Sequence, residues 1–122
     1  MHGLHLTADL RGCPVAAPAF TDPQALRALC LQAVGDAGLA AVGELFHRFD
    51  VGGGVTGVVL LAESHLAVHT WPELGAVTLD VYVCNYSGDN SARALALQQA
   101  LVAHFAPESV ACHSLQRGVP DA

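Results

Sequence analysis

Between Glu63 and His69 the chain places a carboxylate, a hydroxyl and two imidazoles within seven residues of an otherwise apolar middle section. The run continues through the single tryptophan, Trp71, to Pro72 and Glu73. These are the side chains of proton transfer and nucleophilic attack. Their period matters for what they can do together. Apart from Glu63, His65 and His69, residues 55 to 70 are β-branched, aliphatic or small, without helical spacing of polar positions, which predicts strand. On a strand Ser64, Leu66, Val68 and Thr70 point one way, and His65, Ala67, His69 and Trp71 the other. Two histidines four apart on a helix can share a metal; on a strand they lie roughly 13 Å apart, so no metal is expected on this pair.

Composition narrows the chemistry further. The chain has no lysine, and its five arginines, Arg11, Arg27, Arg48, Arg93 and Arg117, are scattered over a net charge of −6, so no basic stripe exists to neutralise nucleic acid phosphates. Without lysine it cannot hold pyridoxal phosphate or a substrate carbonyl as a lysine imine. Any imine chemistry needs a carbonyl made another way. Cys13, Cys30, Cys84 and Cys112 are widely spaced with no Cys-x-x-Cys pair, which argues against a zinc ribbon or redox couple. No apolar run approaches the roughly 20 residues that span a bilayer, and no export signal precedes the first strand, so the cytoplasm is expected and a membrane is not.

The elements that must position these residues are legible in outline. Leu4, Leu6, Ala8 and Leu10 alternate with polar residues as a half-buried strand. Thr21-Asp22-Pro23 supplies a cap and first turn for a helix whose Leu26, Leu29, Cys30 and Val34 recur at helical spacing until Gly38. Strands are expected over 39–49, 55–62, 64–71 and 76–84, with a glycine-rich hairpin at 50–54 and a stop at Pro72. In the last of these strands Val77, Leu79, Val81 and Val83 form an apolar face, with Ala76, Thr78, Asp80, Tyr82 and Cys84 opposite. Asn90 or Ser91 caps a second helix over 92–105, and 109–115 returns as a strand. At 122 residues this is a single domain over 1–122: an α+β two-layer sandwich, mainly antiparallel, with two helices on one sheet face.

Glu63-Ser64-His65-Leu66-x-Val68-His69-Thr70-Trp71-Pro72-Glu73 closely resembles the processing-site motif of the prokaryotic S-adenosylmethionine decarboxylase proenzymes. Phe46-His47-Arg48-Phe49, Thr56-Gly57-Val58-Val59 and Cys84 stand around it as in that family, and the resemblance runs from about Gly3 to Gly118. It implies self-cleavage: the Ser64 hydroxyl attacks the Glu63 carbonyl, and elimination and hydrolysis leave 1–63 (the beta chain) and 64–122 (the alpha chain), the latter opening on a pyruvoyl group derived from Ser64. That ketone forms a Schiff base with the substrate amine and accepts electrons as carbon dioxide leaves. The resemblance further implies His69 as proton acceptor in processing, Cys84 as proton donor in decarboxylation, and Thr56 where the family commonly has Ser. Substrate contacts are expected from Phe49, His65, Leu66, Trp71 and Glu73, without a metal. A homodimer is implied, stacked through its sheet faces, with active sites at or near the interface and spermidine biosynthesis as the setting.

Three departures touch the pocket rather than the pyruvoyl machinery. Leu74 stands where the family usually has Tyr after Trp-Pro-Glu, residues 50–54 replace a segment usually containing Pro and Tyr, and Thr56 is bulkier than Ser. Two alternatives stay open at this point. One is a pyruvoyl-dependent ornithine or arginine decarboxylase, with Asp50 meeting the substrate cation. The other is an uncleaved, non-catalytic dimer partner, against which the joint retention of Ser64, His69 and Cys84 argues.

Overall fold

A computed structural model describes residues 1–50 and 52–120. Its six strands are β1 (His2–Arg11), β2 (Ala41–Arg48), β3 (Val55–Leu61), β4 (Ser64–Trp71), β5 (Ala76–Cys84) and β6 (Ser109–Gly118); its two α-helices are α1 (Pro23–Asp36) and α2 (Ser91–Phe105). They form one antiparallel sheet in the order β2-β3-β4-β5-β1-β6. The expected two-layer sandwich is therefore what the chain builds. No helix among the described residues is long and apolar enough to cross a membrane.

Alternation along each strand decides which face is covered. Leu6, Ala8 and Leu10 of β1, Val55, Val59 and Leu61 of β3, Leu66 and Val68 of β4, and Val77, Leu79, Val81 and Val83 of β5 are all buried. They meet Leu26, Cys30 and Val34 of α1 and Leu97, Leu101 and Phe105 of α2 in one core. Phe105 packs edge-on against Phe20 with ring centroids 5.5 Å apart, and both are at most 1% exposed; truncating either to Ala would cost about 3–5 kcal/mol. Phe46 packs across Gly57, where a Cβ would run into the ring. The other sheet face carries no helix. It presents Leu45, Val58, Leu60, His65, Ala67, His69, Trp71, Thr78, Asp80 and Tyr82, half-buried or exposed.

Several boundaries differ from expectation for local reasons. β1 and β6 extend to His2 and Gly118 because they pair with each other from Arg11↔Ser109 to His2↔Gly118, a non-local ladder with no signature in either segment alone. Asp22 caps α1 by accepting from the Gln24 N–H at 2.9 Å, as expected. For α2 the cap side chain is neither Asn90 nor Ser91 but Asp89, which accepts from the Ser91 N–H at 2.9 Å. Asn90 turns instead to the Cys84 carbonyl (3.0 Å). The 50–54 connection is the expected hairpin: the Phe49 N–H bonds the Gly54 carbonyl at 2.8 Å, and Gly52 and Gly53 take the positive φ that such a turn requires. Val51 lies outside the described residues.

Candidate active site

The junction at Ser64 is a two-residue hairpin. Leu61 pairs with Ser64 across β3 and β4, leaving Ala62 and Glu63 to make the reversal. Glu63 carries a φ of 57°, the left-handed region, where a residue with a Cβ costs about 1–2 kcal/mol. Glycine or asparagine would be the ordinary choice there, so the peptide before Ser64 follows a residue held in an unfavourable conformation. On the other side of Ser64, its Oγ accepts a hydrogen bond from the Cys84 N–H at 3.1 Å. Cys84 is thus fixed at both ends of its backbone, by Ser64 at the amide and by Asn90 at the carbonyl. Two adjoining clefts open here. One, about 360 Å³, is lined by Glu63, Ser64, His65, Tyr82 and Arg117; the other, about 290 Å³, by Met1, Glu63, Tyr82, Cys84 and Tyr86.

A second group sits at the far end of the same hairpin. Thr56 and His69 face each other across β3 and β4, with Thr56 Oγ1 3.0 Å from His69 Nδ1. Together with Phe49, Gly54, Thr70, Trp71 and Glu73 they line a cleft of about 530 Å³, within the roughly 300–1,000 Å³ typical of small-molecule sites. Phe49 and Trp71 are 47% and 41% exposed, large aromatic surfaces left uncovered in a cleft that also holds a carboxylate. Its floor is rigid. The Thr70 hydroxyl donates to the Phe20 carbonyl at 2.8 Å and accepts from the Val55 N–H at 2.8 Å, tying loop and sheet together beneath the opening. Asp50 is not among the described residues lining it.

The two groups do not meet within one chain. Ser64 and His69 lie five positions apart on β4, about 16 Å at 3.3 Å per residue. The structure therefore brings Ser64, Cys84 and Glu63 together, and separately Thr56, His69, Phe49, Trp71 and Glu73. His65 lines the cleft at Ser64. Leu66, expected to touch substrate, is 1% exposed and packs into the core, lining none of the clefts.

Sequence reasoning passed over four residues beside the junction. His5, Asp80, Tyr82 and Arg117 belong to β1, β5 and β6, and pairing alone brings them to His65: His5 and His65 both stand opposite Tyr82 in the register. His5 Nε2 lies 2.9 Å from Asp80 Oδ2, and Arg117 Nη1 3.1 Å from His5 Nδ1. The other Asp80 oxygen, Oδ1, is buried without a hydrogen-bond partner. The usable signal was the alternation of β5, which put Asp80 and Tyr82 on one face; the neighbours on adjacent strands had no local mark. Cys13 and Cys30 are buried as packing residues, whereas Cys112 is exposed. Burial pushes the Cys30 thiol up to about 12 and raises that of Cys13.

These features define a small sheet-and-helix domain with a strained Glu-Ser hairpin and an aromatic cleft, and the comparisons with known proteins agree with it. The family model for S-adenosylmethionine decarboxylase matches residues 4–118. An S-adenosylmethionine decarboxylase proenzyme of Archaeoglobus fulgidus is 39% identical over 116 residues, covering 95% of this chain and 97% of that one. The proenzyme of that name from Aquifex aeolicus is 38% identical over 117 residues, covering 96% and 82%. The crystal structure of the adenosylmethionine decarboxylase from Aquifex aeolicus superposes with a TM-score of 0.86 at 34% identity, over 98% of this chain and 92% of that one. The chain belongs to the S-adenosylmethionine decarboxylase family. Neither the ornithine and arginine alternative nor the non-catalytic one is favoured by these relatives.

Proposed function

We propose that this chain is a proenzyme that cuts itself between Glu63 and Ser64 and, as a pyruvoyl enzyme, decarboxylates S-adenosylmethionine to an aminopropyl donor for spermidine synthesis. The observation that carries this is the junction: a hydroxyl positioned by the Cys84 N–H directly after a non-glycine residue at φ 57°. Attack of Ser64 Oγ on the Glu63 carbonyl forms a C–O bond as the C–N bond breaks, and the lengthened ester link lets Glu63 relax. Abstraction of the Ser64 α-proton then expels the Glu63 carboxylate, which ends the 1–63 chain and leaves 64–122 opening on dehydroalanine; its imine tautomer takes up water and releases ammonia to leave the ketone.

The residues present fit the pyruvoyl group. Ser64 is its precursor at a strained turn, and the absence of lysine leaves no other imine-forming carbonyl holder. When formed, the group supplies an electron sink for the carbanion left by carbon dioxide. Cys84, beside Ser64, is the proton donor to the product carbon. Phe49 and Trp71 stack the adenine or meet the sulfonium, each contact worth roughly 0.5–2 kcal/mol, and Glu73 accepts from ribose hydroxyls.

His69 and Thr56 handle the proton in processing, yet about 16 Å of strand separates His69 from the Ser64 of its own chain. A homodimer stacked through the open sheet faces resolves this, each copy bringing its His69 end to the other's Ser64 end. Leu45 and Leu60, 70% and 50% exposed on that face, support such a cover. The test is intact mass followed by carbon dioxide release from S-adenosylmethionine, ornithine and arginine in parallel. Two fragments with turnover of S-adenosylmethionine alone are expected. A single 12.6 kDa chain inactive on all three would refute the proposal.

A further inference from the structure

His5, His65 and Asp80 place one nitrogen or oxygen each within 4.8 Å of one another, the donor set of a divalent metal. The hydrogen bonds around His5 point elsewhere. A guanidinium has only donors, so at 3.1 Å from Arg117 Nη1 the Nδ1 of His5 must accept. The ring proton therefore sits on Nε2 and is donated to Asp80 Oδ2 at 2.9 Å. A metal taken through Nε2 would need that lone pair and would drive the proton to Nδ1, against the guanidinium. What the residues form instead is a directed chain, Arg117 to His5 to Asp80, that runs across β6, β1 and β5.

The chain ends against His65. The His5 ring meets the His65 ring edge-on, centroids 6.1 Å apart at 77°. Tyr82 stacks on the His65 ring at 5.7 Å and 25° and also meets His5 edge-on at 5.9 Å, and Arg117 covers Tyr82 with its Cζ 5.8 Å from the ring centroid. His65 thus has one ring face and one edge fixed by residues that Arg117 itself holds. Its backbone shares the peptide whose carbonyl belongs to residue 64. We propose that Arg117, His5, Asp80 and Tyr82 are positioning residues which, through His65, set the plane of the 64–65 peptide and so govern decarboxylation rather than self-cleavage. This rests on the pyruvoyl reading of Ser64. Cleavage depends on the other peptide of Ser64, held by the Glu63 turn and the Cys84 N–H, which none of the four touches through a hydrogen bond.

Two experiments test it. In uncleavable Ser64→Ala protein with ¹⁵N-labelled histidine, two-bond ¹⁵N–¹H spectra are expected to show His5 as the Nε2–H tautomer, becoming mixed in Arg117→Met and recovering in Arg117→Lys. In the cleavable chain, Arg117→Met is expected to release the two fragments within about twofold of the normal rate. Its kcat should then fall roughly tenfold at a KM within about threefold, the mark of misplacement rather than lost binding, and Arg117→Lys should recover most of it. A His5 already protonated on Nδ1, zinc displacing the His5 proton at stoichiometric concentration, cleavage lost in parallel with turnover, or a raised KM at unchanged kcat would each overturn the proposal. The tautomer is read in protein that never cleaves, so its outcome does not depend on which amino acid is decarboxylated.

Discussion

Replacing Glu63 by glycine separates strain from chemistry at the junction. Glu63 sits at φ 57°, a conformation costing a side-chain-bearing residue about 1–2 kcal/mol and glycine almost nothing. If ester formation lets the residue relax, that energy lowers the cleavage barrier in the native chain and is absent in Glu63→Gly. At about 1.4 kcal/mol per tenfold, cleavage should slow about 5- to 30-fold. Glu63→Ala keeps the Cβ and the strain while removing the carboxylate, so it should cleave near the native rate. Proteins made in cell-free synthesis and sampled over time by intact mass give both rates, as the 12.6 kDa chain converts to two fragments. Folded Glu63→Gly cleaving within twofold of native would refute the role of strain; Glu63→Ala slowing as much as Glu63→Gly would assign the effect to the carboxylate.

Co-producing His69→Ala with Ser64→Ala chains should restore cleavage that neither has alone. Random pairing makes about half the dimers mixed, each with one intact junction, so roughly a quarter of native cleavage is expected by mass. Phe49→Ala and Trp71→Ala should self-cleave normally and raise KM for S-adenosylmethionine by about 2- to 30-fold, the loss of one stacking contact each. Thr70→Val leaves the Val55 N–H and Phe20 carbonyl unpaired in the interior and should cost about 1–3 kcal/mol in denaturant unfolding. Cys30 binds its proton more tightly folded than unfolded, with a value raised from 9.0 to about 12. Its contribution to stability is therefore full below about pH 9 and lost as pH rises toward 12, and Cys30→Ala should show a smaller drop in Tm over that window.

The sheet was readable because its strands alternate. The split of Leu66 and Val68 from His65 and His69 follows from a period of two, and Val77 to Val83 marked the buried face of β5 without ambiguity. Asp22 and Pro23 announced α1 through local chemistry alone. What could not be read is what pairing decides. Nothing in residues 2–11 says that they lie between β5 and β6, so the meeting of His5, Asp80, Tyr82 and Arg117 beside Ser64 was invisible. Leu66 shows the converse limit, since a motif names a position and only the pleat says which face its side chain takes. The positive φ at Glu63 was equally hidden, because glutamate is not a residue that marks such a turn.

The order of the strands gives the proposed cut an irreversible character. The first fragment would own β1, β2 and β3 and the second β4, β5 and β6, yet in the sheet β1 lies between β5 and β6 while β3 lies against β4. The fragments interleave, so separating them means breaking three ladders, and the mature protein holds together without a covalent link. Once unfolded, however, two strangers must find each other at the concentration then available, where the proenzyme had only to close a two-residue turn. The chain can therefore assemble this interleaved sheet efficiently only once, before it is cut. A cleaved molecule is in effect a record that its folding was completed.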